Sequence, residues 1–472
     1  MLAACAYVAE APRPEAPRRP QQTRATNVTR LYNDYCAKCH GEQGHGGPAG
    51  TKTLNTKELF DQKHDRRFFD VIKNGVPSGE MEAYGNTLSD EEVWALVVHI
   101  REAQAKALRA EFGSPKPNVA GVYSSQYEKF KIETVVPERK GLVTPWSLDW
   151  LPDGRSLVTN RPGSMYLIDK NGLGAQIEGL PESREIGQGG LMEVAVHPTN
   201  GWIYLSYTEP KKDDRGAGLT KIVRGKLAGS KWTNQQTIWE APQEFYNGAG
   251  IHFGGKIVFD GKGHVFFSVG ERGGNMKAQA LDNPYGKIYR VNDDGSVPQD
   301  NPFIGKTKFE GIWSLGHRNP QGLVQGLDGQ LWDTEHAPRG GDEVNPIQKG
   351  GNFGWPVICF GINYNDSPFR LPWPAAGQDI KMPIYRWLPS TGASGLDVAK
   401  GKGFTKWKGD LLAGGLVGQN LDRIRTSGGK LVEREELVHG IGRIRDVCVG
   451  PDGNVYLVLN QPDKIVRLVP SL

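Results

Sequence analysis

The chain has 472 residues, with 57 Lys and Arg against 53 Asp and Glu, a formal net charge of +4. That length exceeds one ordinary domain, and so small a net charge gives no electrostatic case for a nucleic-acid partner. No apolar run is long enough for a transmembrane helix, while 62 Gly and 31 Pro anticipate many turns and short strands.

In chain order, residues 1–26 read as a start and a tether. Leu2-Ala-Ala-Cys5 resembles the end of a bacterial lipoprotein signal, in which the cysteine is lipidated after cleavage. That resemblance implies a lipid anchor at Cys5 and a periplasmic protein; an accidental match is the alternative. Residues 10–25 are rich in Pro, Arg and Gln, the composition of a stiff, solvated tether.

Cys36-Ala-Lys-Cys39-His40 is a c-type haem attachment signature. Two thiols three residues apart can reach both vinyl groups of one porphyrin, and the adjacent histidine then lies under the iron. Thr29–Tyr35 reads as a short helix leading into the motif. Gly41, Gly44, Gly46, Gly47 and Gly50 give a loop able to pack on a flat macrocycle. Met81 is the only methionine between Met1 and Met165 and is the natural sixth ligand, a His/Met pairing that raises the reduction potential. His45, His64 and His99 are its rivals. Ser89-Asp-Glu-Glu92 is a capping box opening a helix with Val93, Leu96, Val97 and Ile100 on one face. A zinc half-site or a redox dithiol is the alternative for Cys36 and Cys39. The order of motif, lone methionine and terminal helix resembles a class I cytochrome c domain over residues 27–111, an all-α unit. Cys359 and Cys448 lie far downstream and read as buried free thiols, with a pairing between them as the alternative.

Residues 112–126 read as a linker, with Gly113-Ser-Pro-Lys-Pro-Asn118 at its start. From residue 127 to 472 a hairpin pattern recurs: apolar strand, tight turn, apolar strand. The copies are Ser147–Val158, Glu193–Tyr204, Lys256–Phe267, Gly322–Trp332, a weaker Phe404–Leu412, and Val447–Tyr456. Six such copies predict an all-β six-bladed β-propeller. Phe130–Val135 is expected to join the last blade and close the ring.

The loops between the copies are dense in glycine and polar groups, and loops of this kind gather on one face to build a site. Arg318, Arg443 and Arg445 can pair with carboxylates. Asp342 and Glu343, with backbone carbonyls, are the hard oxygen ligands that calcium prefers. His252, flanked by glycines, is the candidate general base. His197, His317 and His336 read as structural.

Gly316–Leu323 (GHRNPQGL), Glu335–Glu343 (EHAPRGGDE), Gly350–Pro356 (GGNFGWP), Arg443–Asp446 (RIRD) and Pro451–Asn454 (PDGN) stand in an order that resembles the PQQ-dependent soluble glucose dehydrogenase and aldose sugar dehydrogenase family. The resemblance covers residues 127–472. It implies that His252 takes the sugar hydroxyl proton while hydride moves to the quinone. It further implies that Gln188, Arg318, Asn319, Tyr364, Arg443 and Arg445 hold PQQ. The carbonyls of Ala337 and Pro338 would face one calcium; Glu343 and the carbonyl of Phe353 would bind a second. In two places the chain departs from the family. Val417 stands where a lysine usually contacts the quinone, with Gln419 or Lys402 as substitutes, and Trp387-Leu-Pro-Ser390 carries one residue more than the usual Trp-Pro-Ser.

The expected protein is a quinohaemoprotein dehydrogenase. It would oxidise an aldose or related alcohol with PQQ and calcium, reduce its own haem c, and serve a downstream electron acceptor. A cofactor-free propeller acting as a binding module, with a separately acting cytochrome, is the alternative; a calcium hydrolase ranks behind it because the haem would have no role.

Overall fold

The computed structural model describes residues 26–47, 51–78 and 80–471. The Cys5 segment, the Pro-rich tether, Gly50 and Gly79 lie outside them. The N-terminal unit is helical, with α-helices Val28–Tyr35, Ala37–His40, Lys57–Phe60, Asp65–Asn74 and Asp90–Phe112. Local chemistry sets their ends. The Asn27 side chain accepts from Arg30 N at 2.8 Å, and the Ser89–Glu92 capping box is reciprocal, at 3.2 and 2.9 Å. Gly113, at φ 73°, stops the last helix in a conformation that favours glycine. That helix buries Val93, Trp94, Leu96, Val97 and Ile100, and each such side chain contributes roughly 1.5–3 kcal/mol when fully buried.

The rest of the chain forms six antiparallel sheets. Blade one runs from Pro145–Trp150 to Gly172–Gln176, blade two from Leu191–Val196 to Lys231–Trp239 and blade three from Gly254–Phe259 to Ile312–Leu315. Blade four runs from Pro320–Gln325 to Tyr385–Trp387 and blade five from Ala393–Val398 to Lys430–His439. Blade six takes Arg443–Val449, Val455–Asn460 and Lys464–Pro470 from the chain's end, then Lys129–Val136 and Val122–Ser124 from before blade one. The closing pair is antiparallel, with Phe130 opposite Pro470 and Thr134 opposite Val466. The innermost strands of all six blades touch in a ring, and one apolar cluster fills each junction between neighbouring blades. Cys359 and Cys448 are free and buried.

Two sequence expectations are corrected. The weak fifth copy does not form a hairpin: Phe404–Trp407 includes a turn of 3-10 helix whose Trp407 is buried in the junction of blades five and six. The inner strand of that blade lies upstream, at Ala393–Val398. Asp342 and Glu343, read as part of a loop between hairpin copies, instead open the third strand of blade four, Asp342–Ile347.

A buried ion cluster ties the blades together near the axis. Lys256 of blade three reaches Glu193 of blade two at 2.7 Å and Asp446 of blade six at 2.8 Å, and Asp446 accepts from Leu148 N of blade one at 3.2 Å. The second-to-third strand connections and the segments before each first strand share one end of the propeller. The long insertion 348–384 climbs from the other end to join them, since Asn352 bridges to Leu315 and Ile362 to Arg339. The helical unit packs on that insertion: Phe360, Ile362, Leu371, Trp373 and Leu388 belong to one apolar cluster with Trp94, Val97 and Val98.

Breaking a buried ion pair by removing one partner typically costs about 3–5 kcal/mol. Lys256→Met should lower propeller stability by that order, read as an earlier denaturant midpoint of the β-sheet signal.

Candidate functional site

His252 ends the glycine-rich segment 248–251 and is buried at 7% exposure, with φ 54°. Its backbone N–H donates to Gln188 Oε1 at 2.8 Å, and Gln188 N in turn donates to the Gly250 carbonyl at 2.8 Å. The ring's Nδ1 bonds to the Glu271 carboxylate, which is 1% exposed and also accepts from Asn275 N at 2.5 Å. Burial pushes the Glu271 carboxyl up, but the bond to His252 and the neighbouring donors outweigh it and hold the group below its ordinary value. An ionised Glu271 takes the Nδ1 proton as its hydrogen-bond donor, so the neutral ring carries its lone pair on Nε2. Burial lowers the imidazole's own pKa, and Glu271 opposes that only in part. The result is a fixed, neutral base.

Three arginines converge beside it. Arg318, 7% exposed, opens the segment before blade four. Its Nη1 donates to the carbonyls of His336 and Ala337 at 3.1 and 2.8 Å, and its guanidinium lies 5.1 Å from the Trp355 ring centroid. Arg445 stacks on Trp146 at 4.1 Å and donates to Gln321 Oε1 at 3.0 Å. Gln321 reaches on to Asn319 Oδ1 at 3.4 Å, and Asn319 also accepts from Gly254 N at 3.1 Å. Loss of solvent, with repulsion from Arg443 and Arg161, pushes the Arg445 guanidinium down. Among the described residues neither the Arg318 nor the Arg445 guanidinium forms an ion pair with a carboxylate, and the Nε of each is buried with no partner. His336 lies among Arg445, Arg318, His252 and Arg443, and burial holds its ring well below the ordinary value, hence neutral. Uncompensated guanidinium groups in a wall of this kind suit a ligand carrying several carboxylates.

The opposite charge gathers below. Arg318, Glu335, His336, Ala337, Glu343, Phe353 and Cys359 line one small cavity. Glu343 accepts from Asn345 Nδ2 at 3.2 Å, and Asn345 lies 3.4 Å from Glu335. Burial, then the neighbouring Glu335, pushes the Glu343 carboxyl well above its ordinary value. Two acids facing one cavity with a backbone carbonyl fit a hard divalent cation. Asp342 does not belong to that set, contrary to expectation. Its two oxygens accept from Ala337 N at 3.0 Å, Gly392 N at 2.5 Å and Ala393 N at 2.9 Å, so it clamps the loop that presents the Ala337 and Pro338 carbonyls.

Among the other expected residues, Tyr364 is 73% exposed on the rim and touches none of these groups through a hydrogen bond. Val417 is also exposed there, its N–H bonded to the Thr391 carbonyl. Lys402 is excluded as a substitute, since its Nζ donates to the Pro451 carbonyl at 2.6 Å in the turns at the far end of the propeller. Glu271 is not singled out by the sequence reading, although the Gly-rich run Gly270-Glu-Arg-Gly-Gly274 carries a signal for it.

The cysteine-histidine motif occupies the junction of Val28–Tyr35 and Ala37–His40. Cys36 is buried, its thiol pushed up to about 11 by burial and then by Cys39, and both thiols are free. His40 Nδ1 is buried without a partner. A Cβ on Gly47 would lie 2.3 Å from the Cys39 carbonyl, so only glycine fits there. Met81 joins the apolar cluster that holds Cys36, Tyr32 and Phe69. A thiol and a thioether on one apolar cluster, with a second free thiol and an unpartnered imidazole nitrogen next to the first in sequence, fit a covalently held haem. Of the rivals, His45 is exposed and its ring lies 3.2 Å from Asn55 Nδ2, His64 is half-buried, and His99 stacks on Tyr32 with 4.6 Å between ring centroids.

Comparison with known proteins finds relatives for both units. The Glucose / Sorbosone dehydrogenase family profile matches residues 142–467, and the profile of the cbb3-type cytochrome c oxidase subunit III matches residues 23–100. The aldose sugar dehydrogenase YliI of Escherichia coli is 38% identical over 330 residues, covering 67% of this chain and 87% of its own length. Quinoprotein glucose dehydrogenase B of Acinetobacter calcoaceticus is 32% identical over 271 residues, covering 50% of this chain and 55% of its own. The crystal structure of the soluble E. coli aldose sugar dehydrogenase in its apo form superposes with a TM-score of 0.66 at 35% identity, covering 72% of this chain and all of that one.

The His252–Glu271 pair has a pH signature. Glu271 favours the imidazolium, so Glu271→Gln leaves burial unopposed and the His252 pKa falls further below 6.5. An NMR titration of the ring should show the variant's midpoint at lower pH than the wild type's; a rise would contradict the pairing.

Proposed function

Because the chain belongs to the glucose/sorbosone dehydrogenase family and carries a cytochrome c module ahead of its propeller, we propose that it is an oxidoreductase that removes two electrons from an aldose or related alcohol with PQQ and calcium and hands them to its own haem c. The observation that carries this reading is the His252–Glu271 pair, a base locked in one tautomer near Arg318 and Arg445, each with a buried, unpartnered Nε. The names of the relatives, an aldose sugar dehydrogenase and a quinoprotein, support it.

On this reading His252 Nε2 accepts the substrate hydroxyl proton while the adjoining carbon gives up hydride. Positive charge then grows on the imidazole, and the buried Glu271 carboxylate stabilises it in place. The quinone, when bound, supplies the hydride acceptor, and calcium polarises it. Arg318, Arg443 and Arg445 would hold the quinone's carboxylates, with Gln188 and Asn319 as amide partners and Tyr364 covering it from the rim. Ala337 and Pro338 would offer carbonyls to the calcium at the quinone, and Glu343 with the Phe353 carbonyl would hold the second, joined by Glu335. With Val417 at the usual lysine position, the anion-binding charge rests on the arginines. Cys36, Cys39, His40 and Met81 would hold the haem, which supplies a one-electron acceptor. Haem attachment to such motifs occurs outside the cytoplasm, which favours the periplasm, with Cys5 as a lipid anchor; no described helix is long and apolar enough to cross a membrane.

Purified haem-bearing protein loaded with PQQ and calcium should show its haem spectrum shift to the reduced form on adding an aldose. A haem that stays oxidised, with no dye reduction, across a panel of aldoses and alcohols overturns the reading and leaves the binding-module alternative. His252→Ala should lower kcat by roughly 10²–10⁴-fold with haem content unchanged. Arg318→Ala removes a charge-assisted contact worth about 1.5–3 kcal/mol, so calorimetry should find PQQ binding weakened roughly ten- to hundred-fold.

A further inference from the structure

The helical unit does not hang from the propeller by its linker. It is seated on the loops that build the site. Val28 N and Thr29 N, at the start of its first helix, donate to the Asp366 carbonyl and to Asp366 Oδ2 at 2.8 and 2.9 Å. Asp366 Oδ1 also accepts from Arg339 at 2.7 Å, and Arg339 forms a fork with Glu102 of the last helix at 2.9 and 2.6 Å. Trp94 Nε1 donates to the Phe360 carbonyl at 3.2 Å. Asp65 bridges Arg101 of its own unit and Arg386 of blade four, and all three are buried. Arg109 reaches Glu436 of blade five through two bonds of 2.8 Å.

The apolar part of this contact is a buried seam in which Trp94, Val97 and Val98 meet Ile362 and Leu388, flanked by two open clefts lined by residues of both units. Leu388, the residue in excess of the family's Trp-Pro-Ser, is 5% exposed in one cluster with Trp94 and Val98. Gly340 shows how closely the surfaces meet: a Cβ there would lie 2.5 Å from Leu388 Cδ2 and 3.6 Å from Val98 Cγ1. Fully buried contacts mixed with ion pairs on both sides mark a standing interface rather than a transient encounter.

The position of the contact gives it a function. Loop 336–341 presents the Ala337 and Pro338 carbonyls on one side and Arg339 and Gly340 on the other. The helix segment Val98–Glu102 meets Arg339 and Gly340, while its His99 ring lies against Tyr32, whose hydroxyl donates to the Gly41 carbonyl just after the cysteine-histidine motif at 2.9 Å. One helix, about 10 Å across, therefore separates the propeller site's loop from the haem motif's.

We propose that Val98–Glu102 is the electron crossing between the two sites, and that the Glu102–Arg339–Asp366 latch with the Leu388 and Trp94 contacts holds it closed through the whole cycle, without a domain swing. This rests on the sugar-oxidising reading. Each oxidised sugar molecule breaks one C–H and one O–H bond and releases two electrons and two protons. The electrons cross singly, each reducing ferric to ferrous iron, and an external one-electron acceptor reoxidises the iron between crossings. The hydroxyl proton leaves through His252, and the hydrogen transferred as hydride would be released as the second proton when the reduced quinone gives up its electrons.

The test is the charge reversal Glu102→Lys, with Arg109→Glu as a second, independent variant, both on the helical unit and away from the propeller site. Hydrogen exchange of segments 94–102 and 337–341, and quenching of tryptophan fluorescence by the haem, read docking without turnover. Stopped-flow haem reduction by sugar, and dye reduction that bypasses the haem, read the two electron routes. The expected result is lost protection on both segments and relieved quenching, haem reduction slowed at least tenfold, and dye-linked turnover within twofold of wild type. Haem reduction at the wild-type rate in an undocked variant overturns the proposal. So does wild-type protein whose two segments exchange freely. Wild-type protein that reduces neither dye nor haem overturns the sugar-oxidising reading instead, and the exchange data still decide whether the units are locked.

Discussion

The whole arrangement depends on how the ring is closed. A ring of separate blades is held shut when its last blade takes strands from both ends of the propeller's stretch of chain. Here Lys129–Val136 lies against Lys464–Pro470. The strand that closes the propeller is thus the first long one after the helical unit. The connection 113–121 between Phe112 and Val122 spans at most about 30 Å when extended. Closure therefore keeps the last helix within reach of blades four to six, and the insertion 348–384 supplies the surface on which it settles. Because the ring is also cross-tied at its axis by Lys256, Glu193 and Asp446, the loops at the site end are carried on a rigid base.

That rigidity lets opposite charges be sorted within a small volume. Arg318 from the segment before blade four and Arg443 and Arg445 from the first strand of blade six lie near His336, Glu335 and Glu343 of blade four line a neighbouring cavity, and Asp342 has its oxygens saturated by backbone N–H groups. Each group would be costly to bury alone. Held at fixed separation, the arginines are suited to an anionic ligand and the acids to a cation. The same loop that Asp342 clamps continues into Arg339 and Gly340, so the site and the domain contact share one short stretch of backbone. On the proposed reading this couples two electron carriers at a local concentration no diffusing partner would match.

Much of this was legible in short stretches of sequence. The capping box at Ser89 and Glu92, the strand alternation and turn residues of five hairpins, and the cysteine-histidine motif each rest on interactions between residues a few positions apart, where spacing alone dictates geometry. The fifth hairpin failed because its only clear signal, Phe404–Leu412, combines a buried 3-10 turn with the start of the second strand, and an apolar run does not by itself distinguish the two. The extra residue at Leu388 was visible as a departure but had no meaning until a second unit was found seated on it.

What the linear chain settled by itself was the kind of protein: a helical unit with a haem-type motif, a closed ring of six blades, and the residue types of a site between them. Folding in three dimensions decided the pairings. Glu271 beside His252, His336 among the arginines, Lys402 at the wrong end of the propeller, and Arg339 between Glu102 and Asp366 all depend on contacts between segments whose approach is set by ring closure and blade packing. Periodicity reports which face of a strand is buried; it carries no information about which distant side chain shares that face, because that is fixed by the geometry of the assembled ring.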